Sequence, residues 1–305
     1  MIKDFINLTD FTGDQLEGLL KRAMADKALF KQGKLPATLE GKTLAMIFEK
    51  ASLRTRVSFE TAMTHLGGHA INLTRDDIGL GRREAVQDVA RVLGRMCDAV
   101  CARTFSHAWV QQLARYAPVP VVNALTDHSH PCQAMADLMT VLEHFGDLAG
   151  RTLAFVGDGN NVARSLAAAC GKMGLKFILA APQGYELDDT APACLAAGSY
   201  RVTNNPKAAV AEADVIYTDT WVSMGQEDQR DERLQAFEGF QVNADLLAAA
   251  PAGAIVLHCL PAYRGREITD DVFEAHAGTI LAEAENRLHF QRTLLNLLIA
   301  EGGIR

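Results

Sequence analysis

The residues of this sequence that are best suited to bind a phosphate lie in one short segment, Lys50-Ala51-Ser52-Leu53-Arg54-Thr55-Arg56. This segment follows an apolar run that is typical of a buried strand, Leu44 to Phe48, and it opens a helical pattern that stops at Gly67-Gly68. The first turn of a helix presents unpaired backbone N–H groups and the positive end of the helix dipole. Two hydroxyls, two guanidinium groups and an ammonium added to such a turn predict a phosphate site. The alternative is a serine N-cap followed by solvated arginines.

Two glycine motifs resemble nucleotide-binding loops but lack residues that those loops need. Gly41-Lys42-Thr43 resembles the end of a P-loop, yet position 36 is Pro and the triplet precedes its strand. Gly157-Asp158-Gly159 follows a strand, as a dinucleotide fingerprint does, but Val162 stands in place of the third glycine. No acidic residue ends the next strand to bind a ribose. We therefore expect neither ATP nor NAD, and no organic cofactor.

A histidine-containing segment, His128 to Gln133, has two interpretations. As a zinc site it would need three or four ligands, and some of them would have to come from the distant strand end at His258-Cys259. We therefore expect no metal. The other interpretation is that His130 and Gln133 are neutral hydrogen-bond donors directed at a carbonyl oxygen. Arg103, which ends the preceding short strand, would point in the same direction.

Polar segments in the second half of the chain also lie where predicted strands and helices meet. Each of them alone would be read as an N-cap, a loop or a buried polar cluster. Ligands of open parallel sheets bind at the carboxyl ends of the strands, so the shared position of these segments predicts a binding site. The four segments are Asn160-Asn161, Asp219 to Gly225, His258 to Pro261, and Glu283 to Arg287, the last of which is expected to open the final helix.

Short apolar runs alternate with helical patterns throughout the chain, for example the helical patterns from Val86 to Met96 and from Met135 to Phe145. This alternation predicts an α/β fold of two parallel-sheet domains with helices on both faces. A break at Gly146 to Gly150 separates residues 1–147 from residues 148–287, and the last helix, Ala282 to Ala300, returns residues from about 288 to 305 to the first domain. Buried strands are predicted at residues 44–48, 98–102, 119–122, 152–156, 177–179, 214–217 and 255–257.

Composition excludes several classes of protein. The 305 residues carry a net charge of −7, which argues against a dedicated nucleic-acid binder. No apolar run approaches the ~20 residues that a membrane helix needs. The N-terminus, Met1-Ile2-Lys3-Asp4, has no long apolar stretch, so we expect no secretory signal. The six cysteines form no Cys-x-x-Cys pair, which favours reduced thiols in a cytoplasmic protein.

The motifs resemble those of the carbamoyltransferase family over essentially the whole chain. The family's Ser-Thr-Arg-Thr-Arg motif appears as Ser52 to Arg56, and its His-Pro-Cys-Gln motif is intact at His130 to Gln133. Arg103 matches the arginine with which the family binds a carbonyl. Asp219 to Gly225 and His258 to Pro261 are similar to the ornithine-specific branch of the family.

The resemblance implies transfer of the carbamoyl group of carbamoyl phosphate to the side-chain amine of L-ornithine, which gives L-citrulline and phosphate. It also implies that no metal or cofactor takes part, and that the chain forms a homotrimer with sites near subunit interfaces. The implied catalytic residues are Arg103, His130, Cys259 and Arg287. The implied contacts of carbamoyl phosphate are Ser52, Leu53, Arg54, Thr55, Arg103, His130, Pro131, Cys132, Gln133, Cys259, Leu260 and Arg287. The implied contacts of ornithine are Asn161, Asp219, Ser223 and Met224, with a lid at residues 223–225.

Two positions depart from the family pattern. Leu53 replaces the usual threonine, and Gly79 replaces the glutamine that family members lend to the phosphate of a neighbouring subunit. Arg83, where the family usually has glycine, or Arg82 beside it, would then reach across a subunit boundary in place of that glutamine. The alternative is a solvated surface arginine.

Two alternatives to the implied activity remain open from the sequence. One is carbamoyl transfer to another amine, such as putrescine or an N-acylated ornithine, against which the segment Ser223-Met224-Gly225 argues. The other is a binding or regulatory protein without activity, against which Arg54, Arg103, His130 and Arg287 argue. The sequence does not distinguish a biosynthetic direction, towards arginine, from a degradative one.

Overall fold

The computed structural model describes residues 1–79, 83–188, 198–223 and 225–304. The chain forms two compact units, one of residues 1–136 with 286–305 and one of residues 137–285. Both divisions fall inside helices, Pro131–Phe145 and Ala277–Ile299. The C-terminal part of the chain therefore belongs to the first unit, as predicted from the sequence. The domain boundary at residue 147 stays a prediction.

The first unit contains a four-stranded parallel sheet. Its strands are β1 (Thr43–Phe48), β2 (His69–Thr74), β3 (Ala99–Arg103) and β4 (Val121–Leu125). The strand order is β2-β1-β3-β4. Its helices are α1 (Gly13–Lys31), α2 (Leu53–His65), α3 (Arg75–Ile78), α4 (Val86–Met96) and α5 (His107–Tyr116), followed by the start of α6 (Pro131–Phe145).

The second unit contains a five-stranded parallel sheet. Its strands are β5 (Thr152–Val156), β6 (Lys176–Ala180), β7 (Tyr200–Thr203), β8 (Val215–Thr218) and β9 (Ile255–His258). The strand order is β7-β6-β5-β8-β9. Its helices are α7 (Asn161–Lys172), α8 (Pro206–Val210), α9 (Arg230–Ala236), α10 (Ala244–Leu247), α11 (Asp270–Ala275) and the first turns of α12 (Ala277–Ile299).

The strands differ in burial, and burial explains which of them the sequence predicts. Strands such as β3 and β5 are buried at every residue, and a strand that is covered on both faces reads as a continuous apolar run. The edge strands β4 and β9 are largely buried as well, but the edge strands β2 and β7 are exposed or half-buried and carry polar residues such as His69 and Arg201. They therefore lack the apolar run, and the sequence analysis misses both.

Each sheet has one point where the chain changes direction across the strand order. In the first unit the chain passes from β1 outwards to β2 and then returns to β3 on the other side of β1. In the second unit it passes from β5 through β6 and β7 and then returns to β8 on the other side of β5. The crevice at the carboxyl ends of two such neighbouring strands is the usual ligand site of open α/β sheets. A ligand site is therefore expected at the carboxyl ends of β1 and β3 in the first unit, and of β5 and β8 in the second.

Two element boundaries predicted from the sequence are wrong. The strand expected at residues 119–122 runs from Val121 to Leu125 instead, because Pro120 has no N–H to offer to a strand ladder. The last helix begins at Ala277 rather than Ala282, so Glu283 to Arg287 lie inside it and do not open it. Its first turn contains Gly278, a poor helix former, and burial of Ile280 stabilises that turn.

Two predictions from composition concern membranes and cysteines. No helix in the described parts of the chain is long and apolar enough to cross a membrane. Cys97, Cys101, Cys132, Cys170 and Cys259 are all free thiols. Cys194 lies outside the described residues.

Gly94 and Gly18 lie in helices of the same unit and give a matched test of packing. A Cβ at Gly94 would lie 2.3 Å from Cδ of Pro118, whereas a Cβ at exposed Gly18 meets no heavy atom within 4 Å. We expect Gly94→Ala to lower the free energy of unfolding by ~1–3 kcal/mol, because the helix must shift to admit the methyl group. Gly18→Ala should raise it by about 0.5–1 kcal/mol. Urea unfolding followed by circular dichroism measures both, and equal effects would contradict the packing at Pro118.

Candidate active site

The predicted phosphate-binding segment lies at the N-terminus of α2, directly after β1. Ser52 is the N-cap, and its Oγ accepts a hydrogen bond from the Thr55 N–H at 3.3 Å. Arg54 is half-buried and Thr55 is buried. Leu53 is 74% exposed, so the position where the family usually has threonine offers only its backbone. The turn therefore combines backbone N–H groups, hydroxyls and one partly desolvated guanidinium.

Arg56 does not join this group of donors. Its Nε donates to Glu60 Oε1 at 2.9 Å on the exposed face of α2. The interpretation as a solvated surface arginine is therefore correct for Arg56, and an i,i+4 pair of this kind contributes only ~0.3–0.5 kcal/mol.

Arg103 and His130 are buried at the carboxyl ends of β3 and β4 of the same sheet. Arg103 is the last residue of β3 and pairs in register with Phe48 at the end of β1. His130 precedes α6, whose first residues are Pro131, Cys132 and Gln133. Burial lowers the pKa of His130 well below its usual value, and the cations Arg287, Arg103 and Arg54 lower it further. His130 is therefore a neutral imidazole, as the sequence analysis expected of a hydrogen-bond donor to a carbonyl oxygen.

Arg287 on α12 connects these elements through three hydrogen bonds. Its Nη1 donates to Gln133 Oε1 at 2.6 Å, its Nη2 to Thr55 Oγ1 at 3.3 Å, and its Nε to Gln291 Oε1 at 2.9 Å. Because Gln133 accepts through its oxygen, its NH₂ group is oriented as a donor on the other side of the amide. Gln291 is in turn bonded to Ser58 on α2. The guanidinium thus fixes the orientation of Gln133, and the sequence analysis missed the part that Gln291 plays.

Cys132 is a buried thiol with a structural role. Its pKa is raised to about 12 by burial, although Arg287 opposes the shift. Its Sγ donates weakly to the Asn123 carbonyl at 3.6 Å, beside the end of β4. Its side chain therefore helps to hold the start of α6 and is not a nucleophile at neutral pH.

In the second unit, Asp219 lies at the centre of a hydrogen-bonded group at the ends of β5, β8 and β9. It is buried, and its carboxylate accepts bonds from Asn160 Nδ2 at 2.8 Å, from the Thr220 N–H at 2.7 Å and from Cys259 Sγ at 3.0 Å. Asn160 is also the N-cap of α7, where its Oδ1 accepts from the N–H groups of residues 162 and 163. Asn161, the predicted ornithine contact, is the first residue of that helix.

Cys259 is held as a thiol. Burial raises the pKa of Cys259 well above its usual value, and Asp219 raises it further both by its charge and by accepting the S–H hydrogen bond. A thiolate nucleophile would need the opposite environment, with cations or a helix N-terminus beside the sulfur. Cys259 therefore acts as a donor that fixes one oxygen of Asp219.

His258 and Leu260 form a rigid frame on both sides of Cys259. Nδ1 of the buried His258 accepts from the Leu260 N–H at 2.9 Å, so its Nε2 carries the proton and donates to Glu267 Oε1 at 3.2 Å. Leu260 takes a left-handed conformation with φ of 57°, which is uncommon for a residue with a side chain, and the bond to His258 stabilises it.

Ligand atoms of Asp219, His258 and Cys259 lie within 4.8 Å of one another, which is the spacing of a metal site. Both ring nitrogens of His258 already have hydrogen-bond partners, and the thiol is bonded to Asp219. A metal would have to break all of these bonds, and zinc would need a further ligand. We therefore read this group as an internal hydrogen-bond network.

The predicted lid contains Ser223, a half-buried residue whose N–H donates to Gln226 Oε1 at 3.0 Å. Met224 lies outside the described residues. Just before the lid, the Trp221 carbonyl accepts a hydrogen bond from Nη1 of Arg233 at 3.0 Å. The same Nη1 donates to Asp158 Oδ2 at 2.8 Å. The bond to Asp158 connects it to the turn between β5 and Asn160.

Gly79 and Arg83 have a local explanation in the structure. Gly79 ends α3 in a left-handed conformation with φ of 59°, and a Cβ there would lie 2.8 Å from Cβ of Arg83. Arg83 donates to the Asp77 carbonyl at 2.6 Å and its side chain is 62% exposed. A glutamine would therefore not fit at position 79 in this conformation. Arg82 lies outside the described residues.

Comparisons with known proteins agree with this arrangement. Residues 3–143 match the family profile described as aspartate/ornithine carbamoyltransferase, carbamoyl-P binding domain, and residues 149–298 match the Asp/Orn binding domain of the same family. The ornithine carbamoyltransferase of Methanoculleus marisnigri is 50% identical over 306 residues, which cover 99% of this chain and 98% of that protein.

Two solved structures are similar over the whole chain. The ornithine carbamoyltransferase of Pyrococcus furiosus has a TM-score of 0.94 and 48% identity, and the alignment covers 99% of this chain and 98% of that one. The enzyme from Thermus thermophilus has a TM-score of 0.89 and 42% identity, with 98% and 99% covered. The two sheets with polar residues at their switch points are thus those of a two-domain transferase. The chain belongs to the aspartate/ornithine carbamoyltransferase family.

The thiol of Cys259 provides the test of this site. We expect Cys259→Ser to keep measurable carbamoyl transfer, because a hydroxyl can donate the same hydrogen bond to Asp219. Cys259→Ala should lose more activity, because it leaves that oxygen of Asp219 without its donor. Steady-state citrulline formation measures both variants. A carbamoylated Cys259 in the mass spectrum of the working enzyme would contradict the assignment.

Proposed function

We propose that this protein transfers the carbamoyl group of carbamoyl phosphate to the side-chain amine of L-ornithine and releases L-citrulline and phosphate. The observation that carries the proposal is the buried group of Arg103, neutral His130, Gln133 and Arg287 beside the N-terminus of α2. It combines cations for a phosphate with neutral donors for a carbonyl oxygen, and carbamoyl phosphate carries both groups. The relatives described above, all named ornithine carbamoyltransferase, support ornithine as the acceptor.

Carbamoyl phosphate is proposed to bind to the first unit, with its phosphate on Ser52, Arg54, Thr55 and the backbone N–H of Leu53. A helix N-terminus and guanidinium groups are strong anion donors, and burial increases their effect because little water competes. Contacts at Pro131 and Cys132 are expected through their backbones. The carbamoyl oxygen is proposed to accept from Arg103, His130 and the NH₂ group of Gln133, which Arg287 orients.

Ornithine is proposed to bind to the second unit, where Asn161, Ser223 and Met224 hold its amino and carboxylate groups and Asp219 orients its side-chain amine. Attack requires the uncharged amine, and deprotonation of an alkyl amine at pH 7 costs roughly 4–5 kcal/mol. The cations around carbamoyl phosphate disfavour the ammonium and so lower that cost.

Attack on the carbonyl carbon places negative charge on its oxygen, and this charge is the reason for the buried donors. Donors that are already oriented stabilise such an oxyanion by up to ~3–4 kcal/mol each. The carbon–oxygen bond to phosphate then breaks, and Arg54 with the α2 N-terminus stabilises the phosphate that leaves. No residue needs to form a covalent intermediate in this sequence.

The setting of the enzyme is also a proposal. We propose a homotrimer in the cytoplasm that works in the biosynthetic direction, towards arginine. The direction is supported by the Pyrococcus furiosus relative, which is named anabolic and is 48% identical. The trimer rests on family resemblance, and Arg83 remains a candidate for an intersubunit contact with phosphate.

Removal of the carbonyl donors tests the proposed function. We expect Arg103→Ala and His130→Ala each to lower kcat for citrulline formation at least about tenfold, towards the 10²–10³-fold effect of losing one oxyanion donor. Exposed Arg115→Ala and His144→Ala are the controls and should change kcat less than about twofold. Putrescine and an N-acylated ornithine are tested in the same assay. A faster reaction with either amine, or an unchanged kcat in a folded Arg103 or His130 variant, would refute the proposal.

A further inference from the structure

Two carboxyl groups outside the proposed site are buried together in the second unit. Asp137 on α6 and Glu283 on α12 are both fully buried, and their side chains are hydrogen-bonded to each other. A carboxylate has no hydrogen to donate, so a hydrogen bond between two carboxyl groups requires that one of them keeps its proton. Burial raises the pKa of Glu283 well above its usual value, and the charge and hydrogen bond of Asp137 raise it further.

Glu283 also holds the backbone at the proposed ornithine site. Its Oε2 accepts from the His258 N–H at 2.8 Å, and its Oε1 accepts from the Tyr217 hydroxyl at 3.2 Å. His258 is the last residue of β9 and directly precedes Cys259. Glu283 therefore connects α12 to the end of β9, where the next residue, Cys259, donates its hydrogen bond to Asp219.

Among the described residues, Tyr217, Cys170, Cys259 and Asp219 are titratable groups that ionise to anions near the pair, and the imidazole of His258 is bonded to Glu267. The charge of Asp137 raises the pKa of Tyr217 on β8, of Cys170 on α7 and of Cys259 at the end of β9. Asp219 acts on Tyr217 and Cys259 in the same way. A second negative charge on the pair would therefore add to acids that already lie close together, where it would favour an ammonium over a neutral amine.

We propose that Asp137 and Glu283 share one proton in the working enzyme, and that this proton makes Glu283 a positioning residue for the amine-binding group Cys259–Asp219. The pair anchors the His258 amide and carries one negative charge instead of two. The second role rests on the proposed function, because it concerns a substrate amine. The first role and the proton itself do not depend on which substrate is used.

The proton predicts how stability varies with pH. The pKa of Glu283 is raised in the folded state, so its contribution to the free energy of unfolding is fully present below the ordinary glutamate pKa of 4.5. That contribution is lost as the pH rises towards the folded pKa. Glu283→Gln and Asp137→Asn each keep the hydrogen bond across the pair but remove the titration, because an amide NH₂ donates in place of the shared proton.

The first experiment compares the Tm of wild type, Glu283→Gln and Asp137→Asn from pH 5 to pH 8 without substrate. We expect the Tm of wild type to fall relative to that of each variant, by roughly 2 °C per pH unit for one proton in a protein of this size. Glu285→Gln, an exposed acid on the same helix, is the control and should run parallel to wild type. A Tm difference that does not change with pH would overturn the shared proton, whatever the substrate is.

The second experiment measures the acidic limb of kcat/KM for ornithine. Each single amide variant leaves one charge on the pair, as the shared proton does, so the limb should stay within about 0.2 pH unit of wild type. The double variant Asp137→Asn/Glu283→Gln leaves no charge and should move the limb to lower pH by about half a unit or more. If each single variant already moves the limb to lower pH, both carboxyl groups are ionised in wild type and the proposal is wrong.

The anchoring role is tested with Glu283→Leu against Glu283→Gln. Leucine removes the acceptor of the His258 N–H, and we expect kcat/KM for ornithine to fall more than tenfold while KM for carbamoyl phosphate changes less than about threefold. Glutamine should restore kcat/KM to within about threefold of wild type. If Glu283→Leu does not fold, the comparison rests on the glutamine variant, and a tenfold loss there would overturn the anchoring role.

Discussion

Parallel pairing of the strands is the constraint from which the proposed site follows. Parallel strands end at the same edge of a sheet, and a change of direction in the strand order leaves a crevice there that no crossover helix fills. In the first unit this places the α2 N-terminus beside Arg103, and in the second it places Asn160 beside Asp219. Residues more than a hundred positions apart in sequence, such as Thr55 and Arg287, then need only suitable side chains to form one network.

Burial of these side chains is costly, and the hydrogen bonds show how the cost is limited. A buried guanidinium without partners would be strongly destabilising, and Arg287 instead makes three hydrogen bonds to neutral oxygens. These three partners, Gln133, Thr55 and Gln291, carry no charge of their own. The same cations and the lack of water keep His130 uncharged. The hydrogen bonds of Arg287 to Gln133, Gln291 and Thr55 thus set a cation against two amides and a hydroxyl at the centre of this group.

How much the sequence predicts depends on whether a feature is local. Central strands, the Ser52 and Asn160 caps and the segment at His130 are local patterns, and the structure has them where they were predicted. Edge strand β2 and the start of α12 were missed because tertiary packing, and not propensity, determines them. Arg56 was grouped with Arg54 because spacing alone does not say which arginine meets Glu60. The Asp137–Glu283 pair joins two distant helices, and no pattern in the sequence brings these two acids together.

The two proposed substrates, carbamoyl phosphate and an amine, require opposite electrostatic environments, and both units provide a hydrogen-bond network. Carbamoyl phosphate needs positive charge that is not neutralised, whereas an attacking amine needs an orienting acceptor that does not simply stabilise its ammonium form. A lone buried carboxylate would orient the amine but would also raise its pKa. Asp219, in the orienting role proposed for it, would avoid part of this effect because Asn160, Thr220 and Cys259 already share its lone pairs and disperse its charge. A thiol is suited to this position, since it donates to Asp219 but is too weak an acceptor to hold a proton that the amine must lose.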